Sequence, residues 1–187
     1  MGPARLKLAA FRAVHTDRFP MNRPTSIPSH SLDSPLNADR PRIAFVQACW
    51  HREIVERSKE AFLTTMEQYG YTTDDIDFYV VPGAFEIPLH AKRLARGGRH
   101  AGIIAAALVV DGGIYRHEFV ANAVVDGLMH VQLETDVPVF SLVLTPHKFH
   151  QGEEHIRFFK EHFLIKGAEV AHACADTILK LGTLDAR

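Results

Sequence analysis

Hydrophobic and polar positions change period repeatedly along this chain from residue 42 onward. Residues 43–48 (IAFVQA) form a short β-rich run just beyond a proline, the pattern of a strand. Residues 53–68 then place Ile54, Val55, Phe62, Met66 and Tyr69 near helical spacing with charges opposite, which predicts an amphipathic helix. A second strand is read over 76–81 (IDFYVV), stopped by Pro82-Gly83. The next helix, 88–96, has proline in its first turn and ends at Gly97-Gly98. Residues 102–110 are continuously apolar, as expected of a strand covered on both faces. A helix over 120–133 turns Val124, Leu128, Val131 and Val125 inward, and 138–144 (PVFSLVL) is the fourth strand. Two last helices, 153–163 and 167–181, are expected with a break around 164–167.

This order is β-α-β-α-β-α-β-α-α. Parallel strands need right-handed crossover helices, so the pattern predicts a doubly wound α/β layer. In such layers ligands sit outside the carboxyl ends of the strands. No internal repeat or low-complexity segment follows residue 41.

The stretch before residue 42 is unlike the rest. Its first forty residues hold six basic and three acidic side chains and five of the ten prolines, with four serines interleaved between 26 and 34. Residues 1–41 are therefore expected to be a flexible basic leader and 42–187 the folded domain. Residues 4–19 have the composition of a basic amphipathic helix, as in a transit peptide or surface anchor; Met21 as an alternative start is the plainer reading.

Composition then narrows the class. The 187 residues are 47% hydrophobic, with 21 basic and 22 acidic side chains. One domain with a sizeable core fits that length. Removing the leader's six and three charges leaves 15 basic and 19 acidic, so the folded part is mildly acidic. The balance excludes strong global attraction to nucleic acid or an anionic membrane, and no apolar run approaches the roughly 20 residues of a membrane helix. Two cysteines, Cys49 and Cys174, make no disulfide framework and no CxxC pair, which fits a reducing cytoplasm.

The four strand-end loops hold the chemistry. After the first strand, Trp50 stands where a helix begins, either as a ring-stacking platform or as a hydrophobic staple. In the second, Gly83 permits a turn, Ala84 leaves room for a ligand, and Glu86 either satisfies helix amides or grips ligand hydroxyls. In the third, Gly112-Gly113 ahead of a helix can form an anion nest, with Arg116 as cation and His117 as proton-exchanging group. Neither a P-loop nor GxGxxG is present. In the fourth, His147, His150 and His155 have no HExxH-like spacing, and surface histidines are the preferred reading over a metal site. Most of the twelve histidines are scattered, while His51 and His162 could line the pocket.

Taken in order and spacing, IAFVQACWH, VPGAFEIPLHAKRLA, ALVVDGGIYRHEFVANAV, PVFSLVLT and KGAEVAHA resemble the lumazine synthase family of riboflavin biosynthesis, over residues 42–181. The resemblance implies a flavodoxin-like three-layer sandwich with a four-stranded parallel sheet. It also implies a transferase that condenses 5-amino-6-(D-ribitylamino)uracil with 3,4-dihydroxy-2-butanone 4-phosphate, using no metal and no organic cofactor. Trp50 lies where the family stacks an aromatic on the pyrimidine; Ala84, Phe85 and Glu86 lie where the ribityl chain is held. Leu108, Val109 and Val110 lie where strand backbone reads the uracil edge, Gly113 and Ile114 in the phosphate loop, and Ser141 at a pocket-lining position that usually carries an aromatic. The family's partners are these small molecules and further copies of the chain, in pentamers, decamers or sixty-subunit shells, each site lying between neighbours. Without the glycine-rich turn of the shell formers, residues 160–166 point to a homopentamer or a decamer.

Two departures stand out. Ile114, Tyr115 and Arg116 replace two threonines and a catalytic histidine, leaving Arg116 and His117 as candidates for the proton-handling role. Arginine stays protonated at neutral pH, and His117 is turned about 100° from that place if helical. The usual phosphate-binding arginine falls on Phe158, with Arg157, Lys160 or His162 as substitutes. These departures keep open an alternative: a flavin- or lumazine-binding protein of the same fold with weak catalysis.

Overall fold

The alternating pattern of strands and helices is realised almost as read, in a computed structural model that describes residues 41–114 and 116–186. Strands β1 (Arg42–Ala48), β2 (Ile76–Val81), β3 (His100–Leu108) and β4 (Val139–Leu144) form one sheet in the order β2-β1-β3-β4. Every pairing is parallel. Helices α1 (Arg52–Glu67), α2 (Ile87–Arg96), α3 (His117–Thr135) and α4 (Glu153–Asp185) supply the crossovers and the final cover. The leader, with its targeting and domain-boundary expectations, lies outside the described residues.

Strand alternation sorts side chains into two cores. Ile43 and Phe45 of β1 and Ile104, Ala106 and Leu108 of β3 face α1 and α4, meeting Phe62, Met66, Phe163 and Cys174. Their neighbours Ala44, Val46, Ile103, Ala105 and Ala107 face α2 and α3, meeting Ile87, Ala91, Val124 and Leu128. The two central strands are thus buried on both faces, which explains the unbroken apolar run of β3. This is the three-layer, flavodoxin-like α/β sandwich.

Four expectations need correction. The last two helices are one 33-residue helix, α4, with no break at 164–167. Gly167, the breaker signal, instead sits where α4 crosses α1: a β-carbon there would overlap the Ser58 backbone carbonyl. Glycine costs about 1 kcal/mol in a helix interior, and the close backbone approach offsets it. Val125 is not inward; it is 42% exposed, and Ala121 joins Val124, Leu128 and Val131 on the buried face. Helix α3 also starts three residues earlier than read, at His117. The third strand, in turn, starts and ends two residues earlier, although the Val109 N–H still donates to the Leu144 carbonyl (2.9 Å).

At the amino ends of the strands the polar groups are tied down. Arg42 Nε donates to Asp77 Oδ2 (2.9 Å), a second guanidinium nitrogen bonds Oδ1, and another reaches the Asp74 carbonyl (2.6 Å). His100, with a side chain 1% exposed, shares Asp77 Oδ2 through Nε2 at 2.8 Å. A carboxylate only accepts, so Nε2 is the donor. Its Nδ1 finds no partner among the described residues. These bonds clip β1, β2 and β3 together and hold the Asp77 carboxyl well below the usual range, the Arg42 hydrogen bond being the largest cause.

Candidate functional site

All strands being parallel, their four carboxyl ends open on one edge, and this is where the exposed aromatic and apolar side chains of the loops gather. The first loop turns sharply. Cys49 N–H bonds the Val81 carbonyl (2.8 Å), joining the ends of β1 and β2. Trp50 follows, 68% exposed, and His51 then adopts a left-handed backbone (φ 52°, ψ 38°) at the start of α1. The His51 imidazole is half-buried in a T-shaped pair with the Phe149 ring (4.9 Å between centroids); burial lowers its pKa.

In the second loop, Ala84–Glu86 forms a single 3₁₀ turn that runs into α2. Gly83 N–H donates to Glu86 Oε2 at 2.9 Å, so the carboxylate caps its own turn while remaining half-exposed beside Phe85, which is 64% exposed. Both readings of Glu86 survive: it satisfies a backbone amide and it stands at the mouth.

The third loop leads from buried Leu108 and Val109 and half-buried Val110. Gly113 has φ 75°, a value open to glycine and strained for most other residues. Its N–H donates to Asp111 Oδ1 (2.8 Å), so one donor of the expected anion nest is already engaged by a carboxylate. An open hollow of about 300 Å³ lies here, lined by Asp111, Gly113, Ile114, Arg116, His117 and Glu118. The structure thus brings Gly113, Ile114, Arg116 and His117 together. The Arg116 guanidinium lies 4.6 Å over the Phe119 ring, and His117 Nδ1 stands 3.7 Å from Glu118 Oε2. The two are adjacent but differently placed: Arg116 precedes α3 and is exposed, whereas His117 opens it, half-buried.

Ser141 is placed differently. It lies exposed at mid-strand on the edge strand β4, opposite Ala105, about 10 Å back from the strand's end at the usual rise.

In the fourth loop and the start of α4, aromatic rings stack. Phe158, 52% exposed, lies against His162 (5.8 Å, 9° between planes), and His155 lies over Phe149 (5.7 Å). Lys160 is engaged by Glu53 (2.7 Å), while Arg157 is exposed. Burial lowers the His162 pKa, with Lys166 adding to the effect. The His150 backbone N–H donates to His155 Nδ1 (2.8 Å), and the described residues gather no set of three metal ligands.

Two residues were missed by the sequence reading. Asp111 is legible afterwards in Asp-Gly-Gly, the signal of a side chain bonding the backbone two residues on. Phe149 has no such signal, since its partner His51 is about 100 residues away in the chain.

A doubly wound α/β sheet with an exposed indole, a carboxylate and a glycine-led loop bearing Arg116 at its carboxyl edge defines a protein of the flavodoxin-like class. Comparison with known families then gives the particular one. The family model for 6,7-dimethyl-8-ribityllumazine synthase matches residues 40–181. A protein of Pseudomonas syringae pv. tomato named 6,7-dimethyl-8-ribityllumazine synthase 2 is 60% identical over 162 residues, 87% of this chain and 93% of that protein. A 6,7-dimethyl-8-ribityllumazine synthase of Rhodococcus erythropolis is 61% identical over 143 residues, 76% of this chain and 92% of the relative. One of Bradyrhizobium diazoefficiens is 56% identical over 154 residues, covering 82% and 92%. The chain belongs to the 6,7-dimethyl-8-ribityllumazine synthase family.

Proposed function

We propose that this chain makes 6,7-dimethyl-8-ribityllumazine for riboflavin biosynthesis, as a transferase joining 5-amino-6-(D-ribitylamino)uracil to 3,4-dihydroxy-2-butanone 4-phosphate. The observation that supports this best is the convergence of the Trp50, Glu86 and Gly113 loops on one sheet edge, in a chain of this family. Trp50 stacks on the uracil, whose edge meets the β3 end at Leu108, Val109 and Val110. Ala84, Phe85 and Glu86 hold the ribityl hydroxyls; Ser141 belongs to the pocket wall of the assembled protein. Gly113, Ile114 and Arg116 receive the phosphate.

The amine of the uracil attacks the ketone and water leaves to give an imine. Phosphate is then eliminated, and ring closure expels a second water. His117 handles the protons, while Arg116 balances phosphate charge. Holding two small substrates together supplies most of the acceleration, and proton transfer adds roughly 10²–10⁴. No metal or organic cofactor enters this scheme. An assay with both substrates, followed by lumazine fluorescence, tests it: turnover is expected, and its absence alongside tight riboflavin binding would favour the weak-catalyst alternative suggested by Arg116.

The assembly is a homopentamer or a pair of pentamers. Val125, Met129 and Leu133, at 42%, 53% and 72% exposure, make an apolar stripe on α3 suited to a neighbouring copy. Mass measurement in solution tests this, and a megadalton particle would refute it. A cytoplasmic location suits the exposed free thiol of Cys49. Among the described residues no helix is long and apolar enough to cross a membrane. We read residues 1–41 as a leader to the catalytic unit: the family match begins at residue 40, while the Pseudomonas syringae relative, aligned over 162 residues, reaches into that stretch.

A further inference from the structure

We propose that His51 is a positioning residue: its left-handed backbone, braced by the ring of Phe149, sets the aim of Trp50 at the mouth of the site. The inference extends the reading of Trp50 as the ring platform and depends on it.

The backbone at His51 is unusual for its place. Only one other described non-glycine residue, Asp136, has a positive φ, and Asp136 follows the end of α3, where a left-handed residue is an ordinary helix stop. His51 lies at a helix start, where the capping residue is normally extended and lends a side-chain oxygen. Its side chain makes no such bond. Its carbonyl instead accepts the N–H groups of Ile54 (2.9 Å) and Val55 (3.1 Å). One residue earlier than Trp50, the Cys49 N–H is held by the Val81 carbonyl. Trp50 is therefore the single residue between two pinned backbone points, and the reversal at His51 leaves its indole exposed to the loops.

What holds the reversal comes from the far side of the chain. The His51 imidazole and the Phe149 ring meet in a T-shaped pair, 62° between planes. Phe149 is itself seated against Phe159 (5.4 Å) and His155 (5.7 Å) of α4 and against the core beneath α1. Histidine and asparagine tolerate the left-handed region better than most residues, glycine adopts it freely, and a β-branched residue resists it. The loop after β4, which contacts no substrate in the reading above, thus acts on the ring platform through one aromatic contact.

Trp50 is the only tryptophan, so its emission reports ribitylaminouracil binding without turnover. His51→Val should raise the Kd of ribitylaminouracil about tenfold and leave the KM for butanone phosphate within about twofold. His51→Asn and His51→Gly keep the backbone and lose only the ring contact, so they should raise that Kd about threefold, short of the Val variant but measurably above wild type. Phe149→Leu should match them, and it carries the test if thermal melting shows that His51→Val does not fold. Wild-type binding by His51→Val, or by Phe149→Leu in its stead, would overturn the proposal. So would an equal rise in both constants, or Asn and Gly variants as weak as Val. Trp50→Ala separates the two levels: if its KM for ribitylaminouracil is unchanged, the platform reading fails; if that KM rises while His51→Val binds normally, the brace alone fails.

Discussion

The two edges of the sheet are built on opposite terms. At the amino edge, Asp77 is engaged by Arg42 and by His100, and the strands there are clipped together by side chains. At the carboxyl edge, Trp50, Phe85 and Ile114 stand out at 68%, 64% and 85% exposure, and the backbone turns positive at His51 and Gly113. Paired polar groups give stability, whereas exposed apolar side chains and tight turns stabilise little by themselves and become useful when a ligand covers them. The same four strands therefore separate the clipped amino end from the open carboxyl end, where the candidate site lies, by direction alone.

That separation can be broken by substitution, and the largest effect is expected at the carboxyl edge. His117→Ala should lower kcat about 10²-fold and leave Tm within about 1 °C, read by steady-state kinetics and calorimetry. Wild-type turnover would remove His117 from the proton-transfer role.

Asp77→Asn is the counterpart at the amino edge. It should cost about 2 kcal/mol near neutral pH, through weakened charged hydrogen bonds, while kcat and both KM values hold. The pH dependence follows from the depressed Asp77 carboxyl. Its stabilisation is complete above the unfolded value of about 4 and drains as the pH falls towards the lower folded value. In that acid window the unfolded chain binds more protons, so stability rises with pH. Urea melts from pH 2 to 7 should show wild type and Asp77→Asn converging in acid; a constant gap would place the stabilisation elsewhere.

Trp50→Ala comes next, raising the KM for ribitylaminouracil about tenfold with the melting temperature unchanged, as expected for a lost stacking surface. The smallest effect tests the Asp111 carboxylate in the loop proposed to receive phosphate. Asp111→Asn keeps an oxygen for the Gly113 N–H and removes a charge, so the KM for butanone phosphate should fall about twofold at low salt and less at high salt. A rise instead would show the charge itself to be needed there.

Much of this was legible from pattern. The β2 span 76–81 coincides with the strand found, and the inward set Val124, Leu128 and Val131 is buried as the period requires. Val125 is one position beyond that set, and a single step of 100° carries it outside. The apparent break at Gly167 was misread because glycine signals a helix end and a close helix crossing equally well. Local rules cannot tell the two apart; the Ser58 backbone of α1 can. The site divides similarly. Trp50, Glu86, Gly113, Arg116 and His117 could be singled out as candidates because each is an unusual residue at a strand end. The Asp111 bond was within reach of local turn rules. The ring of Phe149 on His51 was not, because nothing in either neighbourhood refers to the other.

The sequence by itself therefore determined the period of each element, the doubly wound order and the candidate loops at the strand ends, since these depend on residues a few positions apart. Only the tertiary structure decided that α4 runs unbroken across α1, that Arg42, Asp77 and His100 close the quiet edge, and that Phe149 reaches His51. Each of those depends on groups tens of residues apart meeting at van der Waals or hydrogen-bond distance, where burial and excluded volume, rather than local propensity, select the outcome.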